Sequence, residues 1–474
     1  MSTMGKAGRT APQPFFTAAG APGERRLLLV SAAFPPSAEV GALRWLRIAQ
    51  FARARGWTVD VVLIDPVDPG QREEHTLREV PAGAALYDVP LRETWIQRVE
   101  RAARAWLTRR RRAGSAVPAT ALEGALVRTR TPVNGQGRSA GGGSLAALLR
   151  VYRTLVHFAQ WNDWVRRATR AGIALTRQRP YRVVVSSGPP HFAHEVARQV
   201  SAATGLPLVI DLRDPWFSDD VEPPELRGRI WRRRTRAMEG DAVARASLVV
   251  LNTESCRRLM TARYPAHASR MLTVMNGADA DVGAAAAHPD TFIISHTGSL
   301  YSGRDPRILF RAVARVVQRL HLSPSDLRVH FMGDDVYEGR PLRDLATADG
   351  VERFTRIEAR RPRAEALALS RSSAMVVLLP QHHVHSIPGK LFEYVQLPAW
   401  LLVLTDPGTA TEVVLRGSGA DVLPPGDEAA VADAIESRYL AFRRGERPLP
   451  INADGRFDRE RQAAKLLDAL DSIA

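Results

Sequence analysis

Short apolar runs alternate along this chain with longer stretches whose apolar residues recur every three to four positions. That alternation predicts βαβ units and parallel sheets. Buried strands are predicted at Arg26–Val30, Val59–Ile64, Val183–Ser186, Leu208–Asp211 and Leu248–Leu251. A second series begins near Thr291, with strands at Phe292–His296, Val329–Gly333, Met375–Leu379 and Leu401–Thr405. Helices are predicted from about Ala42 to Arg55, at Leu145–Arg170, Pro306–Leu320, Ala364–Arg371, Glu428–Phe442 and Arg456–Ile473. The expected fold class is α/β, with two Rossmann-like domains and ligand-binding loops at the carboxyl ends of the strands. Residues 1–24 read as a flexible tail, 25–285 as the first domain, 286–452 as the second and 453–474 as a terminal helix. An insertion at about 66–144 breaks the rhythm. It holds a basic helix, Trp95–Arg112, followed by a Gly/Ser-rich stretch too polar to pack a core.

Charge sharpens the picture. The 474 residues carry a formal net charge of +16, which favours anionic partners such as phosphorylated ligands or acidic membrane surfaces. No matching motif supports nucleic acid. The single cysteine, Cys256, excludes an intrachain disulfide and fits a reducing compartment. No run has the length of a membrane span. A cytoplasmic protein is expected, with peripheral contact at the inner face of the membrane left open. Two basic stretches suit such contact. Trp95, Ile96, Val99, Trp106 and Leu107 share a helix with Arg98, Arg101 and Arg104, and Ile230 and Trp231 lie within Arg227–Arg236. Both also read as solvated arginine-rich faces.

Five strand-end loops carry the candidate chemistry. In Ser386-Ile387-Pro388-Gly389-Lys390-Leu391-Phe392-Glu393-Tyr394, Pro388 suits a first helical turn whose backbone N–H groups receive a phosphate. Lys390 adds a cation there, and Glu393 is placed to accept ribose hydroxyls. In the loop from Phe34-Pro35-Pro36 to Gly41, Gly41 lets a diphosphate approach backbone. Ser186-Ser187-Gly188-Pro189-Pro190-His191 leads to His194, an imidazole able to bond a sugar hydroxyl. Asp211-Leu212-Arg213-Asp214-Pro215-Trp216 offers Asp214 to an acceptor and Trp216 as a platform for a sugar ring. Gly298 allows close backbone approach, and Arg304 suits a diphosphate leaving group. Each loop also reads as an ordinary turn, cap or ion pair. The histidines of Gln381-His382-His383-Val384-His385 match no standard zinc spacing, so no metal and no cofactor are expected.

In this order the motifs F-P-P…G…R, S-S-G-P-P…H, D-L-R-D-P-W, N-G-A-D (Asn276–Asp279), G-S-L-Y…R and I-P-G-K-L-F-E-Y resemble the retaining glycosyltransferases of family 4, which have the two-domain GT-B fold. The resemblance implies two domains facing across a cleft and a nucleotide-sugar donor held mainly by the second half. It assigns Glu393 to the ribose, Arg304 and Lys390 to the diphosphate, Gly41 to the diphosphate from the first half, and His194 to the reacting sugar. The sugar would pass with retention, without a metal, to an acceptor hydroxyl on a saccharide, a lipid-linked molecule or a small molecule. The sequence departs from the family pattern twice. His385 stands where the first of two paired glutamates belongs, and Leu309 where a lysine belongs. A non-catalytic nucleotide-sugar binder and a sugar-nucleotide epimerase on the same fold remain alternatives.

Overall fold

The strands gather into two parallel sheets, one in each of two compact units. The structure, a computed structural model, describes residues 12–66, 68–112, 143–216, 228–279, 290–300, 303–381 and 384–474. Unit 1 contains the described residues up to Val274 and the terminal segment from Gln462; unit 2 spans Met275 to Arg461.

In unit 1 the sheet order is β1-β4-β3-β2-β5-β6-β7-β8. The strands are β1 (Phe16–Thr17), β2 (Arg25–Ser31), β3 (Trp57–Leu63), β4 (Ala85–Asp88), β5 (Val183–Gly188), β6 (Leu208–Leu212), β7 (Leu248–Leu251) and β8 (Met271–Thr273). Seven are parallel, and β1 adds antiparallel to the edge of β4. Residues 15–18, expected within a flexible tail, are therefore tied to the sheet: the Phe15 N–H donates to the Leu86 carbonyl and the Ala18 N–H to the Ala84 carbonyl. Two paired residues are too few to show an alternating pattern in sequence.

Alternation along each buried strand feeds two cores. Leu28, Val30, Val184 and Ile210 face one side, with α3 (Gly143–Gln178) and α4 (Phe192–Thr204). Leu27, Leu29, Val183, Val185 and Val209 face the other, with α1 (Val40–Ala54). The last helix, α13 (Arg459–Ile473), presents Ala463, Leu466, Leu467 and Leu470 at i, i+3, i+4, i+7 to this second core. Its Asp471 pairs with Arg25 at 2.7 Å and accepts from the Trp57 indole at 2.9 Å. From Gln462 onward the terminal helix thus belongs to unit 1.

The inserted basic segment forms helix α2 (Trp95–Arg112), as its pattern predicts. Residues 113–142, including most of the Gly/Ser-rich stretch, lie outside the described residues. The second basic stretch behaves differently from expectation. In α5 (Arg229–Arg245), Trp231 is 9% exposed and packs on His157 and Phe158 of α3, leaving only Ile230 of that apolar pair outward. Its tryptophan anchors the core rather than a surface.

Unit 2 has the order β13-β10-β9-β14-β15-β16, all parallel. The strands are β9 (Phe292–Gly298), β10 (Leu327–Gly333), β13 (Thr355–Ala359), β14 (Met375–Gln381), β15 (Trp400–Thr405) and β16 (Asp421–Leu423); β11 (Val336–Tyr337) and β12 (Arg340–Pro341) form a separate hairpin. Helix α7 (Arg307–Leu320) buries Ile308, Leu309, Phe310, Val313 and Val316 against one face. Leu309, where the family pattern has a lysine, is fully buried in this core.

Each sheet is wound twice. From β2 the chain runs outward through β3 and β4, then returns to the other side of β2 with β5. From β9 it runs through β10 and β13, then returns beside β9 with β14. Loops diverge at such a reversal and leave a crevice beyond the strand ends, where ligands bind. The ends of β9 and β14 in unit 2, and of β2 and β5 in unit 1, are those places.

Candidate functional site

In unit 2 the reversal collects cations. Strand β9 ends on Thr297 and Gly298. Gly298 has φ +112°, a conformation costly for any side chain, and a Cβ there would run into the Lys390 ammonium. Lys390 donates to the Thr297 carbonyl, and to Thr297 Oγ1 at 3.1 Å. Tyr394, buried one turn further on, fixes that threonine with a 2.9 Å hydroxyl contact. Burial pushes the Lys390 ammonium from its usual range down to about 8; Glu393 opposes the shift, while Arg304 and Arg360 reinforce it.

The Arg304 loop is clamped from below. The Gln381 amide accepts from the Asp305 N–H at 2.9 Å and donates to the Asp305 carbonyl at 3.1 Å. Gln381 ends β14 with φ +26° and is buried. Arg304 donates to the Ser299 carbonyl at 3.3 Å, and Arg360 to the Ser299 hydroxyl at 2.7 Å. Asp334, after β10, accepts the Leu300 N–H at 3.1 Å. Gln381, Thr297, Asp334 and Arg360 were not singled out from sequence; the buried amide closing the run Met375–Gln381 was the one available signal.

His296 stands behind this cluster. Its Nδ1 lies 3.0 Å from the Val377 carbonyl and therefore carries the proton, and Nε2 has no partner among the described residues. Burial, then the nearby Lys390 and Arg304 charges, drives the imidazole down to about 3, so it stays neutral.

The helix expected from Pro388 is a single turn, α10 (Leu391–Tyr394). The N–H groups of Leu391, Phe392 and Glu393 donate to the carbonyls of Pro388, Gly389 and Lys390, so tight turn bonds use the donors that a longer helix start would have offered. What this segment offers an anion is the lysine together with the Gly389 and Lys390 N–H groups, which donate to no backbone carbonyl among the described residues. Glu393 points elsewhere, in a 2.7 Å ion pair with the exposed Arg363. His385 is half-buried in the preceding loop, and His382 and His383 lie outside the described residues, as do Tyr301 and Ser302. Among the described residues no group of three His, Cys, Asp or Glu side chains is arranged for a metal ion.

In unit 1 the strand ends around β2 and β5 carry two layers. The lower layer is a closed ion pair. Asp211 receives Arg44 twice, at 3.0 and 2.8 Å, the Trp45 indole at 2.8 Å and the Ser187 hydroxyl at 2.9 Å. Arg44 and Asp211 are both buried. The arginine of the F-P-P…G…R motif is thus a structural counter-ion to Asp211. The upper layer holds His194, whose Nδ1 is 2.8 Å from Ser186 Oγ. Its Nε2 is shielded without a protein partner among the described residues, and burial followed by the Arg213 charge lowers its pKa to about 3. Asp214 is pushed upward by burial against the pull of Arg213.

Two expectations change here. Trp216 is 6% exposed and stacks on His191 at 5.1 Å, so its face is already covered by imidazole and is no open sugar platform. Gly41 lies beneath the Arg213 guanidinium, which occupies the space a Cβ would need, and Arg213 is anchored on the Pro189 carbonyl. The glycine seats an arginine.

No family model matches the chain, and no curated protein matches it. Solved structures do. HepE of Anabaena, in complex with UDP and glucose, is 16% identical, with a TM-score of 0.55 over 94% of this chain and 100% of that one. A glycosyltransferase of Rickettsia africae is 10% identical, with a TM-score of 0.59 over 95% and 98%. Sucrose-phosphate synthase of Thermosynechococcus elongatus is 13% identical, with a TM-score of 0.55 over 95% and 99%. The chain has two Rossmann-like domains of the GT-B class.

Proposed function

We propose that this protein is a glycosyltransferase that passes a sugar from a nucleotide-sugar donor to an acceptor hydroxyl. The observation that carries the reading is the set of Lys390, Arg304 and Gly298 at the reversal of the second sheet. A leaving nucleoside diphosphate gains negative charge as the glycosidic bond breaks, and fixed cations in a shielded site counter it without reorganising. Lys390 serves this role protonated, and a bound pyrophosphate favours that form. Glu393 accepts the ribose hydroxyls once it exchanges Arg363 for them. His194, neutral, offers Nε2 to a hydroxyl of the donor sugar, and Asp214 acts toward the acceptor. Gly41 contributes by making room for Arg213.

The finer reading is a family 4 enzyme acting with retention: the acceptor attacks the face the diphosphate leaves, and Arg304 and Lys390 do the work of a metal. The acceptor is a saccharide, a lipid-linked molecule or a small natural product, met in the cytoplasm or at its membrane face. UDP and UDP-glucose, named with HepE, support a uridine nucleotide sugar as the first donor to try.

A thermal-shift screen over UDP, GDP, dTDP and ADP sugars tests the reading. A ligand at about 100 times its Kd adds roughly 2.7 kcal/mol, so one donor should raise Tm clearly and release its nucleotide with acceptor. Stabilisation by no donor refutes the reading. Stabilisation without nucleotide release from any donor identifies a binder, and conversion of donor without acceptor an epimerase.

A further inference from the structure

Helix α2 is amphipathic the wrong way round for a helix that only packs on its own protein. Gln97 bonds Gln160 of α3 at 3.2 Å, and Glu100 accepts the Tyr152 hydroxyl. Its polar side therefore meets the protein. At 100° per residue Trp95, Val99 and Trp106 fall within about 40° of one another, and roughly 150° away from Gln97 and Glu100. Trp95 is 68% exposed and Val99 59%. The neighbouring helix repeats this. Leu148, Val151 and Leu155 lie at i, i+3, i+7 on α3, with Leu148 66% and Leu155 56% exposed, and Tyr152 borders them where it reaches Glu100. Large apolar side chains so exposed on adjacent helices mark a surface built to meet something.

Charge decides what. The α2 sequence contains seven arginines and one glutamate, and α3 has Arg150 and Arg153 before its first acid, Asp163. Arg98 is exposed beside the tryptophan face, and Arg101 makes an exposed pair with Glu93. A second copy of the same hairpin would set arginine against arginine. An anionic bilayer offers phosphates to the arginines and a boundary region where tryptophan and leucine leave water. We propose that the outer faces of α2 and of the first half of α3 form a docking surface for an anionic membrane. This stands on unit 1 alone and does not depend on the donor reading. No helix among the described residues is long and apolar enough to cross a membrane, so the contact is one of lying on the surface.

The test uses the full chain, sedimented with vesicles of phosphatidylcholine alone or mixed with phosphatidylglycerol, at low and high salt. Binding is expected only with phosphatidylglycerol. A Trp95→Ala/Val99→Ala double variant and a Leu148→Ala/Leu155→Ala double variant should each lower partitioning by at least about tenfold, since each removes apolar area without changing charge. Both variants should keep the wild-type melting temperature and nucleotide response. Equal binding to both vesicle types, or none, overturns the proposal. So does undiminished phosphatidylglycerol binding by both variants, which would leave only net-charge attraction. A concentration-dependent dimer lost in the variants, with no lipid binding, would assign the surface to a second copy instead.

Discussion

Replacing Lys390 with methionine should stabilise the protein at neutral pH, and the gain should shrink as pH rises. The ammonium sits where burial lowers its pKa from 10.5 to about 8. Holding it protonated in the native state therefore costs about 3 kcal/mol relative to the unfolded chain, at 1.36 kcal/mol per pKa unit. Below pH 8 both states carry the proton and the full cost applies. Between 8 and 10.5 the unfolded chain binds the proton and the native state does not, so stability rises with pH through that window. Methionine keeps the methylene stem and never bears the charge. Lost hydrogen bonds to Thr297 offset part of its gain at every pH alike, so the change with pH is the cleaner quantity. Urea denaturation of both proteins at pH 7 and 9.5 should show the stability difference moving by about 2 kcal/mol in favour of wild type at the higher pH. A difference that stays constant between those pH values refutes a buried, depressed Lys390.

The same reasoning gives His296 the opposite pH window. Its native pKa of about 3 means the unfolded chain alone gains a proton below 6.5, so stability falls as pH drops from 7 to 5. His296→Gln should spare about 2 kcal/mol of that loss by urea titration, and an equal pH dependence in both proteins would contradict it. Gly298→Ala places a side chain at φ +112° against the Lys390 ammonium. It should lose about 1–3 kcal/mol of stability, and nucleotide affinity with it; retained affinity in calorimetry counts against the lysine's placement. Asp211→Ala leaves Arg44 buried without its counter-ion and should cost about 3–5 kcal/mol, read as a fall in the denaturation midpoint. Arg363→Ala frees Glu393 and should tighten nucleoside binding relative to a bare pyrophosphate; equal changes for both ligands would deny Glu393 the ribose.

Much of the fold was legible because both sheets are buried on two faces, and buried strands read as unbroken apolar runs. Leu248–Leu251 matches its predicted bounds, and Phe292–Gly298 exceeds its by two residues. What escaped were strands short or near a sheet edge: Ala85–Asp88, Met271–Thr273, Thr355–Ala359 and Asp421–Leu423 are mixed in polarity, and only their neighbours define them. At the candidate site, glycines and charged residues after strands pointed to Gly298, Arg304 and Lys390. Their wiring did not show. Gln381 clamps Asp305 across 76 positions of sequence, and Lys390 reaches back 93 positions to Thr297. No local pattern encodes such pairs. The same holds for Trp216 and Gly41, whose faces are covered by His191 and Arg213 through packing alone.

Isothermal titration of nucleoside diphosphates into wild type, Arg304→Ala and Lys390→Met reads the proposed diphosphate grip itself. One diphosphate should bind wild type, weaken above pH 8 as Lys390 loses its proton, and bind each variant at least about tenfold more weakly. Wild-type affinity retained by both variants, or no diphosphate bound at any pH, would contradict it.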